Sequence, residues 1–126
     1  MPTLPHGVRV LLCTQPVDMR KSFDGLVAAT KTVLGENPLS GHLFVFVNRK
    51  ATQTKVLYWS RGGFCVWAKR LERGRFAPVM AGHSACVPMT DTQLMMWLDG
   101  IELAATRQRR RFVLRNEPAR SATIGA

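Results

Sequence analysis

K-V-L-Y-W-S-R-G-G-F-C-V-W-A-K-R-L-E-R-G-R-F, residues 55–76, decides how this chain is read. Five aromatic rings and six basic side chains surround one Gly-Gly break, and Glu72 is the single acid. Large rings need a core or a stacking partner. Clustered cations repel one another unless water or an anion lies among them, so the segment is a candidate nucleic-acid surface. The competing reading is plain: the rings are core and the cations a solvated face. After Gly63, Phe64, Trp67, Ala68 and Leu71 fall at i, i+3, i+4 and i+7, which predicts an amphipathic helix ended by Gly74. Lys69, Arg70 and Arg73 would then lie largely away from its apolar stripe.

The charge extends outward from this stretch. The chain of 126 residues has 18 Lys+Arg against 8 Asp+Glu, a formal net charge of +10. Eight basic residues and one acid fall between Arg49 and Arg75, and six and one between Arg107 and Arg120. Such an excess favours polyanions through phosphate contacts and counterion release, without specifying bases. The length fits one domain, and 46% hydrophobic residues suffice for a core. Cys13, Cys65 and Cys86 form no C-x-x-C pair and leave an odd count, which fits a reducing cytoplasm. No signal-peptide pattern opens the sequence, and no apolar stretch approaches the ~20 residues of a membrane span.

Elsewhere the pattern alternates strands and helices. Gly7–Cys13 reads as a strand, closed by Pro16. Asp18 reads as the N-cap of a helix to about Leu34, with Met19, Phe23, Leu26, Val27, Thr30, Val33 and Leu34 as its buried stripe and Gly35 at C′. Leu43–Val47 and Val56–Trp59 read as strands joined by the polar hairpin connection N-R-K-A-T-Q-T. The punctuated stretch 76–88 holds one or two short strands. Thr90 with Gln93 forms a capping box for a second helix, whose stripe is Leu94, Trp97, Leu98 and Ile101, with Gly100 in its last turn. The expected architecture is α+β: a single small domain over 1–104, with a mainly antiparallel sheet and packed helices, followed by a basic, disordered tail over 105–126.

Four blocks occur in order at short spacing: P-V-D-M-R-K-S-F-D-G-L (16–26), S-G-H-L-F-V-F (40–46), K-V-L-Y-W (55–59) and G-G-F-C-V-W-A-K-R-L-E-R-G-R-F (62–76). Together they resemble the TnpB-type accessory protein, the second-reading-frame product of IS66-family bacterial insertion sequences. The resemblance covers about Val8 to Ile101. Ser22 stands where that family usually has Gly, and Ser60 where an acid commonly follows the aromatic pair. The resemblance implies a role in transposition beside a separate transposase that carries the catalytic acids.

The chemistry-bearing residues point the same way. A two-metal nuclease needs several converging carboxylates. Asp18 and Asp24 read as local helix electrostatics beside Arg20 and Lys21, and Asp99 and Glu102 as surface charge. Cys65 reads as a small core residue, and His83 as a loop residue. His6, His42 and His83 show no zinc spacing with the cysteines, and Gly62-Gly63 lacks phosphate-loop context. No catalytic residue, metal or cofactor is expected. The expected function is a non-catalytic accessory protein of transposition and DNA recombination. It would contact DNA through Arg49, Lys50, Lys55, Arg61, Lys69, Arg70, Arg73 and Arg75, in the cytoplasm, alongside the transposase and other element-encoded proteins. The alternative is an adaptor that docks on the transposase without touching DNA.

Overall fold

Runs of alternating and continuous apolar residues with β-branched and aromatic side chains build a sheet, and two amphipathic segments cover it. The computed structural model describes residues 7–78 and 84–101. The elements are β1 (Val10–Cys13), α1 (Phe23–Thr32), β2 (Leu43–Val47), β3 (Gln53–Ser60), β4 (Gly63–Arg70), β5 (Cys86–Met89) and α2 (Asp91–Asp99). One five-stranded sheet has the order β4-β3-β2-β1-β5. Its pairs are antiparallel except β1 with β2, which run parallel through the α1 crossover. This is the expected α+β fold. The tail expected from residue 105 lies outside the described residues, as do His6 and His83.

Strand alternation sends side chains to two cores. Val10, Leu12, Leu43, Val45 and Val56 face α2 and pack with Phe76, Leu94, Trp97 and Leu98. Leu11, Cys13, Phe44, Phe46 and Leu57 face α1 and pack with Leu26, Ala29 and Leu34. Each fully buried Leu or Phe contributes about 1.5–3 kcal/mol relative to exposure. Phe76 and Trp97 stack with centroids 4.6 Å apart at 19°. The Trp97 indole N–H donates to the Ala77 carbonyl at 3.0 Å, so the buried ring keeps a polar partner.

The largest departure from expectation is the helix after Gly63, because that segment is strand β4. Arg61 (φ 50°) and Gly62 (φ 83°) form a two-residue turn that closes Ser60 onto Gly63. The positive angles at both positions match the turn that suits the twist of a hairpin. β4 then pairs with β3 along its whole length, from Gly63 to Arg70. The i, i+3, i+4 spacing was coincidental: F-C-V-W-A is also a continuous apolar run with both faces half-covered. Gly74 (φ 75°) therefore ends no helix and lies in a strap, residues 71–76, that follows β4.

α1 also differs at its start. Asp18 caps a turn rather than the helix, accepting from the Arg20 backbone N–H at 2.9 Å. The helix begins after Ser22, Phe23 stays exposed, and Leu26, Ala29 and Thr30 are its buried face. At α2 the expected capping box is complete: Thr90 Oγ1 accepts from the Gln93 N–H, and Gln93 Oε1 from the Thr90 N–H.

Candidate nucleic-acid interface

Topology decides which cations meet. β1 and β2 point the same way and β3 returns against β2, so the ends of β1 and β2, the start of β3 and the end of β4 share one end of the sheet. The approach to α1 is pinned there. The Val17 N–H donates to the Val47 carbonyl at 2.9 Å, and Lys55 Nζ donates to the Lys21 carbonyl at 2.8 Å. α2 finishes there too, since Lys69 Nζ donates to the Leu98 carbonyl at 2.8 Å and Arg75 bridges to Ile101.

Seven of the eight predicted cations fall at this end, and Arg61 does not. Arg49 and Lys50 are the exposed tip of the β2–β3 connection. Lys55, on the α1 face of β3, reaches back to the start of α1. Lys69 and Arg70 are neighbours on a strand, so they point to opposite faces of the sheet. The expected single helix face carrying Lys69, Arg70 and Arg73 therefore does not exist. Arg73 and Arg75 lie in the strap. Two backbone hydrogen bonds hold that strap against the β2–β3 connection: Leu71 N–H to the Thr52 carbonyl at 2.8 Å, and Phe76 N–H to the Ala51 carbonyl at 2.7 Å. Arg61 is in the β3–β4 turn at the opposite end, on the same side as Arg9 and Lys31.

Two cations of this end, Arg20 and Lys21, escaped the sequence reading. The signal was present in D-M-R-K, but only the β1–α1–β2 crossover carries residues 18–21 to the side of residues 49–75. The cations differ in what they already hold. Arg20 forms a two-pronged ion pair with Asp18, Nη2 to Oδ2 at 2.7 Å and Nε to Oδ2 at 3.0 Å. That pairing holds the exposed Asp18 carboxyl down at about 2. Arg70 pairs with Glu72 at 3.1 Å, both well exposed, which contributes little to stability. Lys69, part-buried, tethers the end of α2 and complements its dipole. The side chains of Arg49, Lys50 and Arg75 have no partner among the described residues, and Lys21 adds only a weaker charge interaction with Asp18.

The rings are occupied elsewhere. Phe76 is buried, and Tyr58 and Trp67 pack against the α2-side core. Trp59 meets Phe64 edge-on, centroids 4.9 Å apart at 70°, on the other face near the β3–β4 turn. Phe23, at the start of α1 beside Lys21, is exposed, but among the described residues no row of rings is interleaved with the cations. Among the described residues no group of three or more His, Cys, Asp or Glu could hold a metal ion. Burial pushes the thiols of Cys13 and Cys86 up, away from the reactive thiolate form. No described helix is long and apolar enough to cross a membrane.

Comparison with known proteins agrees with the motif blocks. The family model of the IS66 Orf2-like protein, TnpB_IS66, matches residues 8–108. The chain belongs to that family. It is also 43% identical over 102 residues to the uncharacterized protein y4hO of Sinorhizobium fredii (strain NBRC 101917 / NGR234), covering 79% of this chain and 87% of that protein. A second relative from the same strain, the uncharacterized protein y4jC, is 34% identical over 96 residues, covering 75% and 82%. No solved structure matches. As an IS66 Orf2-like protein the chain is a transposition-associated accessory protein, and the family match extends past Ile101 into the basic C-terminal sequence.

Proposed function

We propose that this IS66 Orf2-like protein assists its element's transposase by binding duplex DNA through the basic end of the sheet, with no catalysis of its own. The observation that carries the reading is the one-sided gathering of cations. Arg20 and Lys21 come from before α1, Arg49 and Lys50 from the β2–β3 tip, and Arg70, Arg73 and Arg75 from the end of β4 and the strap. These segments are far apart in sequence. The fold brings them to one end, but nothing in the core packing requires them to be basic there, and their mutual repulsion is relieved by a polyanion. With Phe23 the one large ring exposed among the described residues, a run of stacked single-stranded bases has little to rest on, which favours a duplex backbone.

The adaptor alternative is better served by a contiguous exposed apolar patch. Among the described residues the exposed large apolar side chains, Phe23, Leu39 and Met95, sit apart on α1, the α1–β2 loop and α2. The test is a titration of a fluorescent duplex at several salt concentrations, run beside a nuclease-treated pull-down on immobilised transposase. Salt-dependent duplex binding is expected. Failure to bind DNA, with nuclease-resistant retention on the transposase, would replace this reading with the adaptor.

A further inference from the structure

Within the basic end one element is built differently from the rest. The β2–β3 connection presents Arg49 and Lys50 side by side on a braced tip. Asn48 is the brace. Its Oδ1 accepts from the Thr52 N–H at 2.8 Å and the Gln53 N–H at 3.0 Å, and its Nδ2 donates to Thr52 Oγ1 at 3.1 Å. The Ala51 N–H closes onto the Asn48 carbonyl at 3.0 Å, and Ala51 holds φ 58°. A non-glycine residue in that left-handed region persists only where its surroundings over-determine it. The strap supplies the surroundings through its bonds to Ala51 and Thr52.

The positions of the other cations frame this tip. The sheet is the middle layer, and the tip extends it. Lys21 lies on the α1 side, where Lys55 holds its carbonyl. Arg75 lies on the α2 side, bridged to Ile101 and followed by Phe76 in the α2-side core. Lys21 and Arg75 are thus single exposed cations on opposite faces of the sheet, and the Phe76 N–H to Ala51 carbonyl bond keeps Arg75 close beside the tip. The major groove of B-DNA is about 12 Å wide and bordered by two rows of phosphates, so a short projecting tip with a cation on either face can address its floor and both borders.

Resting on the DNA reading above, we infer that the β2–β3 tip enters the major groove of a duplex, while Lys21 on one side and Arg75 on the other hold the two phosphate rows. Arg49, with its planar fork of donors, is the base-edge contact, and Lys50 the second groove cation. The flanking pair sets affinity and salt dependence.

The test uses the full chain and one short duplex of mixed sequence in two forms. One is unmodified. The other carries glucosylated hydroxymethylcytosine at every cytosine, which fills the major groove and leaves the phosphates unchanged. The wild-type protein should bind the glucosylated duplex about tenfold more weakly, the loss of a good base-edge contact. Arg49→Ala/Lys50→Ala, with an unchanged melting temperature, should bind both forms alike. Lys21→Ala/Arg75→Ala should weaken on both and keep the wild-type ratio. Equal wild-type affinity for the two forms overturns the groove assignment while leaving the DNA reading intact. So does a tip variant that still discriminates tenfold. A wild-type protein that binds neither form, but binds an acidic protein surface, overturns both.

Discussion

Asn48→Ala removes the brace beneath Arg49 and Lys50, the two exposed cations of the β2–β3 tip. The substitution deletes two acceptor contacts to backbone N–H groups, Thr52 and Gln53, and one donor contact to the Thr52 hydroxyl. Hydrogen bonds of this kind contribute about 0.5–1.5 kcal/mol each net of water. The three are only part-buried, so water takes over some of what is lost. The Asn48 N–H to Gln53 carbonyl bond at 3.1 Å remains. The expected cost is then about 1–2 kcal/mol, toward the lower end for each bond. For a domain of this size that lowers the melting temperature by about 5–15 °C, at 4–8 °C per kcal/mol. Thermal unfolding followed by circular dichroism measures it. Asn48→Asp keeps the acceptor oxygen and should recover most of the loss. An Asn48→Ala protein that melts with the wild type, or an Asp variant as damaged as Ala, would refute the bracing argument.

Three further outcomes are expected. Gly100→Ala should destabilise by about 1–3 kcal/mol on backbone strain alone, because Gly100 holds φ 78° and a Cβ there would sit 3.2 Å from the Arg75 carbonyl and 2.7 Å from Leu71 Cδ1; chemical denaturation measures it. The Asp18 carboxyl should titrate near pH 2 by NMR and return toward 3.8 in Arg20→Ala. Because this pKa is depressed in the fold, the pair's contribution is present above about 3.8 and is lost as pH falls through about 2. Purified protein with Mg²⁺ or Mn²⁺ and no transposase should neither nick nor join DNA, and cleavage abolished by Asp18→Ala or Asp24→Ala would contradict the non-catalytic reading.

Much of the fold was legible because its signals are local. Thr90 and Gln93 announce a capping box three residues apart, and both of its hydrogen bonds form. L-F-V-F-V over 43–47 reads as a central strand and is one, buried from Leu43 to Phe46. The segment after Gly63 was not legible by periodicity, because F-C-V-W-A-K-R-L satisfies a helical spacing and a two-faced strand equally. What decides it is pairing: with Arg61-Gly62 as a two-residue turn, β4 extends the sheet against β3 and half-buries rings on both faces. The same mistake displaced the candidate site. A helix would have gathered Lys69, Arg70 and Arg73 on one face, whereas a strand separates Lys69 from Arg70. The grouping that does occur, Lys21 with Arg49, Lys50 and Arg75, rests on a parallel crossover and a strap that no short window of sequence reveals.

The central claim is that charge position, beyond total charge, makes the DNA surface. Two triple variants of equal net charge test it: Lys21→Gln/Arg73→Gln/Arg75→Gln at the basic end, and Arg9→Gln/Lys31→Gln/Arg61→Gln at the opposite end. All six residues are exposed, so both proteins should fold. Each lost phosphate contact lowers the slope of log affinity against log salt by about 0.9, so the basic-end variant should lose up to about 2.7 units of slope and the far-end variant almost none. Equal losses from the two variants would mean diffuse electrostatics and would contradict the account.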